Sequence, residues 1–134
     1  DVVFCSDLKR AIDSAELTFG KTGIPILHDE RLRECNYGDF TGKKVGEGFP
    51  KKEGKIDEPF PNGESYVDVE IRVGEFLEEL AGKYEGKHAA IVAHQAPQLA
   101  LEVILNGKDW EQAFREDWRE KKPKQRKPGW DYEL

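Results

Sequence analysis

The sequence predicts an α/β protein built on a parallel sheet, and two strand-to-helix junctions carry that expectation. Ala89 to Ala93 form a short continuous apolar run bounded by Gly86-Lys87 and Pro97. Such a run suits a strand buried on both faces, as parallel strands usually are. It ends at His94 and passes at once into a helix through Leu99 to Leu105. At the other end of the chain, Val2-Val3-Phe4-Cys5 has the same buried-strand pattern and also leads into an amphipathic helix. Ligands of open α/β sheets bind beyond the carboxyl ends of the strands, which makes His94 a candidate functional residue. The alternative is a core histidine whose hydrogen bonds are satisfied locally.

Taken in order, Val2 to Cys5 is the first strand, and Ser6 or Asp7 is placed to cap the following helix by accepting from a free backbone N–H. Leu8, Ala11, Ile12, Ala15 and Phe19 fall at helical spacing, and Gly20 ends that helix. Arg10 lies in its first turn, where a cation is mildly unfavourable unless an anion is near. Ile24-Pro25-Ile26-Leu27 reads as a second strand, with Pro25 at an edge or at the strand's start. Arg31 to Gly42 has no clean period, and functional residues concentrate in such loops. Within it, Glu34 lies among Leu32, Cys35, Tyr37 and Phe40, where desolvation is expected to raise its pKa toward that of a useful acid. Pairing with Arg31 or Arg33 is the alternative.

Residues 43–61, rich in Gly, Lys, Glu and Pro, read as a surface insertion with little to bury, closed by the turn signal Pro61-Asn62-Gly63. Ser65 then caps a helix presenting Val69, Val73, Phe76, Leu77 and Leu80 on one stripe. Gly82 and Gly86 release the chain into the strand that ends at His94. Asn106-Gly107 stops the helix after it, and Asp109 with Gln112 forms a capping box for a helix bearing Trp110, Ala113, Phe114 and Trp118. Residues 119–134 are a basic tail whose last segment, Trp130-Asp131-Tyr132, is expected to dock on the domain as a short edge strand.

The chain has 134 residues and fits a single domain, 1–134, with no linker or repeat. A net charge of -6 and a pI near 5.2 argue against nucleic acid or an anionic membrane as the partner. The sequence has neither an apolar run near membrane length nor a charged-then-apolar leader, and a cytoplasmic protein is expected. Cys5 and Cys35 lack metal or disulfide-framework spacing and read as reduced thiols. The chain starts at Asp1, directly on a strand pattern, and contains no Met. A start inside a longer protein is the expectation.

Arg10, Glu34 and His94 each stand at a strand-to-loop junction. An Arg fork matches phosphate oxygens, a His donates to another, and a carboxyl protonates a leaving alkoxide. This is equipment for cleaving a phosphomonoester without a metal or other cofactor, and no magnesium- or zinc-like acidic cluster argues otherwise. A nucleophile is missing. Cys5 and Arg10 do not form a cysteine-phosphatase loop, because only four residues separate them and no Gly-rich cradle lies between.

Ser6-Asp7-Leu8-Lys9-Arg10-Ala11 with Ala15-Glu16, Leu32-Arg33-Glu34 with Tyr37-Gly38-Asp39-Phe40 and Gly42, Gly63-Glu64-Ser65-Tyr66, and Ile91 to His94 follow one another in the chain. In these motifs it resembles the histidine phosphatase superfamily, also called phosphoglycerate mutase-like. The resemblance implies a three-layer α/β/α fold with a mixed, mainly parallel sheet, and hydrolysis or transfer of a phosphoryl group on a small metabolite through a phosphohistidine. It implies that Arg10 clamps the phosphoryl group, Glu34 donates the proton to the leaving oxygen and His94 stabilises the phosphoryl charge. Ser6 and Gln95 join Arg10 among the substrate-binding residues, although Ser6 alone reads as a cap. His94-Gln95-Ala96 is similar to the fructose-2,6-bisphosphatase branch, where Gln95 would reach the phosphate or its attacking water. Glu64 and Ser65 are read as a helix cap.

The superfamily's Arg-His-Gly motif, which supplies the attacking histidine, is absent from this sequence, and neither His28 nor His88 replaces it. The expectation is therefore a parent enzyme from which this chain lacks the first central strand, leaving it inactive by itself. A non-catalytic anion-binding or scaffolding domain is the alternative. The unpaired strand edge is expected to make the chain poorly soluble or to join it into a homodimer.

Overall fold

The computed structural model describes residues 1–126 and 129–134. Three strands, β1 (Val2–Cys5), β2 (Ile26–His28) and β3 (Ala89–Val92), alternate with helices α1 (Lys9–Phe19), α2 (Tyr66–Lys83), α3 (Gln95–Asn106) and α4 (Trp110–Arg115). The sheet order is β2-β1-β3. Both pairings are parallel, with Val3 opposite Ile26 on one side and Ala90 on the other. Among the described residues no strand runs antiparallel.

Alternation along β1 builds the layers. Val3 and Cys5 meet Ala15, Ile12 and Phe19 of α1. Val2 and Phe4 point to the opposite face, where the apolar stripe of α2 and the buried side of α3 cover them. Phe4 packs edge-on against Phe76 and Tyr84, with centroids 5.2 and 5.4 Å away. The result is the three-layer α/β/α arrangement.

Local chemistry explains most boundaries. Ser65 Oγ accepts from the Asp68 N–H while the Asp68 carboxylate accepts from the Ser65 N–H, a reciprocal cap that starts α2. Gly107 ends α3 in the left-handed region at φ 68°, and Asp109 caps α4 through the Gln112 N–H. Ser6 and Asp7, expected as the cap of α1, do not serve as one. The N-cap position is Leu8, whose side chain makes no cap bond; Ser6 Oγ, facing His94, accepts instead from the Leu8 N–H at 3.3 Å, just ahead of the helix.

Three further expectations are corrected. Ala89–Val92 is half-buried rather than buried on both faces, because β1 takes the centre and β3 has no strand on its other side among the described residues. Residues 43–61 do supply the core: Phe60 is 1% exposed, and Phe49 and Ile56 pack around it. The Trp130–Tyr132 segment docks through side chains and not as a strand. The Tyr132 hydroxyl donates to Glu102 and Trp130 lies 5.8 Å from Trp118. Lys127 and Pro128, within the basic tail, lie outside the described residues.

Candidate active site

The turns that follow the three strands converge at the carboxyl edge of the sheet. His94 is the N-cap of α3, half-buried one residue beyond Ala93. Its Nε2 lies 2.8 Å from the Ser6 hydroxyl, and its Nδ1 accepts from Arg10 Nε at 3.3 Å. Because an arginine can only donate, Nδ1 carries no proton and the neutral ring donates from Nε2 to Ser6. Burial pushes the His94 pKa below its usual value; Glu34 opposes this, and the cations Arg10 and Arg72 add to it. Arg10 itself is exposed and has no carboxylate partner among the described residues. Its neighbour Lys9, by contrast, is paired with Asp13.

Glu34 is half-buried and pairs with neither Arg31 nor Arg33. Arg31 is held by Asp29 and Glu79, and Arg33 by Asp7. Instead, Glu34 Oε1 accepts two backbone bonds at 2.9 Å, from Cys35 N–H and from Ala96 N–H in the first turn of α3. That turn presents unsatisfied N–H groups and a positive dipole end, so the carboxyl is seated beside His94 by the same helix that His94 begins.

Arg72 of α2, which the sequence did not single out, holds the Glu34 loop. Its guanidinium donates to the carbonyls of Arg31 and Arg33 at 2.6 and 2.8 Å, to that of Glu34 at 3.1 Å, and to both oxygens of Glu64. Glu64 in turn accepts from Asn36 N–H at 2.9 Å. Glu64, expected as part of a helix cap, therefore braces the loop while Ser65 alone caps. Two glycines let the strap close: a Cβ on Gly38, at φ +53°, would stand 1.9 Å from the Pro61 carbonyl oxygen, and one on Gly63 would stand 2.2 Å from that of Asn36.

Gln95 faces the cleft, but its Nε2 donates to Asp117 Oδ2 at 2.6 Å. Burial works against the charge on Asp117, yet hydrogen bonds from the Arg119 N–H, the Gln95 amide and the Arg119 guanidinium outweigh it and hold the pKa below the usual carboxylate range. Arg119 also reaches Gln98 at 3.1 Å, which ties the C-terminal segment to the start of α3. The cleft has a volume of about 1000 Å³, with Arg10, Glu34, Tyr37, Phe40, Arg72 and Gln95 among its walls. Ser6 and His94 stand behind Arg10 and do not line it. No group of three His, Cys, Asp or Glu side chains among the described residues is placed to hold a metal ion.

The profile of the Histidine phosphatase superfamily (branch 1) matches residues 1–121. The chain belongs to the histidine phosphatase superfamily. It is 35% identical to a 2,3-bisphosphoglycerate-dependent phosphoglycerate mutase of Cytophaga hutchinsonii, over 78% of this chain and 55% of that protein. It is 29% identical to phosphoserine phosphatase 1 of Hydrogenobacter thermophilus, over 81% and 56%. Among solved structures, YhfR from Bacillus stearothermophilus aligns with a TM-score of 0.73 at 27% identity, covering 84% of this chain and 60% of that one. The chain thus spans little more than half the length of these superfamily relatives. No helix among the described residues is long and apolar enough to cross a membrane.

Proposed function

We propose that the whole protein hydrolyses or transfers the phosphoryl group of a small phosphomonoester through a phosphohistidine. The observation that supports this most is an exposed Arg10, free of carboxylates, set against His94 and flanked by Glu34 at the ends of three parallel strands. In this reading Arg10 takes the phosphoryl oxygens with its planar fork. His94, held in one orientation by Ser6, takes a proton from solvent on Nδ1 once Arg10 turns from that nitrogen to the anion, and donates it to a phosphoryl oxygen. With Oε1 fixed by two amides, Oε2 is the Glu34 atom left to pass a proton to the leaving oxygen.

The attacking histidine belongs to the Arg-His-Gly motif, and the open side of β3 is where a strand bearing it fits. Its imidazole nitrogen bonds to phosphorus as the ester P–O bond breaks, and the alkoxide leaves with the proton of Glu34. A water, or a second acceptor hydroxyl in a transferase, then displaces the imidazole and returns the proton to Glu34. Gln95 is held at the cleft by Asp117, so its carbonyl oxygen is the atom it offers a water. The present chain alone binds the phosphate group and does not turn it over. The relatives named for phosphoserine and phosphoglycerate support a small phosphorylated metabolite as the substrate class.

Turnover of p-nitrophenyl phosphate by the whole protein tests this. Arg10→Ala, Glu34→Gln and His94→Ala are each expected to lower kcat/KM by roughly a hundredfold or more. An acid-labile phosphoenzyme is expected to accumulate in Glu34→Gln. Unchanged turnover in Arg10→Ala overturns the assignment.

A further inference from the structure

We propose that Tyr37, Phe40 and Phe49 form a wall for the apolar body of the phosphomonoester, so that aryl and similarly flat apolar phosphates are the preferred substrates; this rests on the phosphate site at Arg10 proposed above. All three rings line the same cleft as Arg10 and Glu34. They are half-buried, not sealed in the core. Val45, 78% exposed, extends the apolar surface to the rim.

The wall is rigid before any ligand arrives. Phe60, only 1% exposed, stands behind it, with centroids 5.1 Å from Tyr37, 6.4 Å from Phe40 and 6.0 Å from Phe49. Phe49 meets Tyr37 and Phe40 edge-on at 6.0 and 5.5 Å. Such pairs fix ring orientation, and a preformed apolar face binds with little ordering cost. Burial pushes the Tyr37 phenol up, so the wall stays uncharged at ordinary pH.

The charges of the cleft favour a ligand with one anionic end. Of its arginines, Arg31 and Arg33 are held by carboxylates and Arg72 by Glu64 and three carbonyls. Arg10 is the one without a carboxylate or carbonyl partner among the described residues. Lys43 sits 5.0 Å over the Phe40 ring, where its ammonium meets a π face and not an acid. Lys43 and Lys52, the latter also on the cleft and 5.9 Å over the Phe114 ring, are the groups that would favour a second anion instead, and the test includes that outcome.

Calorimetric titration of this chain with inorganic phosphate, methylphosphonate, benzylphosphonate and phosphonoacetate decides the matter without turnover. Benzylphosphonate is expected to bind about tenfold tighter than methylphosphonate or more, since a buried phenyl ring is removed from water. Phe49→Ala is expected to abolish that advantage and leave inorganic phosphate affinity unchanged, which also reports that the site is folded. Phe49→Leu serves if Phe49→Ala unfolds the loop, with a smaller loss expected. If phosphate binds but benzylphosphonate gains nothing, or phosphonoacetate is the tighter ligand, the aromatic wall is overturned while the phosphate site stands. If none of the four binds, the phosphate site falls and the wall with it.

Discussion

Replacing Arg72 by Met should loosen the Glu34 loop and cost the fold about 3 kcal/mol. The guanidinium makes five hydrogen bonds, two to the Glu64 carboxylate and three to the carbonyls of Arg31, Arg33 and Glu34. Breaking a buried ion pair by deleting one partner costs roughly 3–5 kcal/mol, because the other charge is stranded. Here the Arg72 and Glu64 side chains are 17% and 26% exposed, so water reaches both and the low end applies. Met keeps the apolar stem, and the loss is electrostatic rather than a cavity. Urea unfolding followed by fluorescence should show the change as a lower midpoint with an unaltered slope. In a double-mutant cycle, Glu64→Gln and Arg72→Met should couple by about 1–2 kcal/mol. Arg72→Lys should recover less than half of the loss, since an ammonium cannot span five acceptors. An Arg72→Met protein within about 1 kcal/mol of wild type, or a cycle with no coupling, would refute the reasoning.

Other perturbations have equally definite outcomes. The His94 pKa is lowered in the fold, so the unfolded chain takes up the proton first; stability from this group is full above about pH 6.5 and is lost as pH falls through the folded value. His94→Asn should flatten that part of the stability profile, and an equally steep profile in the variant would contradict the assignment. Gly38→Ala should cost about 2 kcal/mol or more, because its Cβ meets the Pro61 carbonyl oxygen, whereas Gly42→Ala, at φ +76° with nothing within 4 Å, should cost roughly half that. Equal losses at the two glycines would show that backbone strain alone decides. The open side of β3 should make the chain self-associate, seen as a weight-average mass that rises with concentration in sedimentation equilibrium, and a monomer throughout would count against it.

What could be read from the sequence was what local chemistry decides. The stripe of α2, its cap at Ser65 and the left-handed stop at Gly107 need only neighbours along the chain. The meeting of Arg10 and His94 was legible too, since parallel topology sends every strand's carboxyl end to the same edge. Burial of β3 was misread because an apolar run looks the same whether or not a strand covers its far side. Phe49, Ile56 and Phe60 were missed in a stretch without period, because their partners Tyr37 and Tyr66 lie elsewhere in the sequence. Arg72 left no signal beyond a cation bordering the buried stripe of α2, for most of its acceptors are backbone carbonyls that every residue has. The contact of Ser6 with His94 depends on where β3 places that ring.

The most direct test is the His94 ring itself, followed by ¹⁵N NMR through a pH titration with and without inorganic phosphate. A phosphate held by Arg10 frees Nδ1 and brings negative charge beside the ring. The His94 pKa should then rise with saturation, and Arg10→Ala should abolish the effect. A ring whose titration is unmoved by phosphate, or moved equally in Arg10→Ala, would contradict the placement of the phosphoryl group at the end of β3.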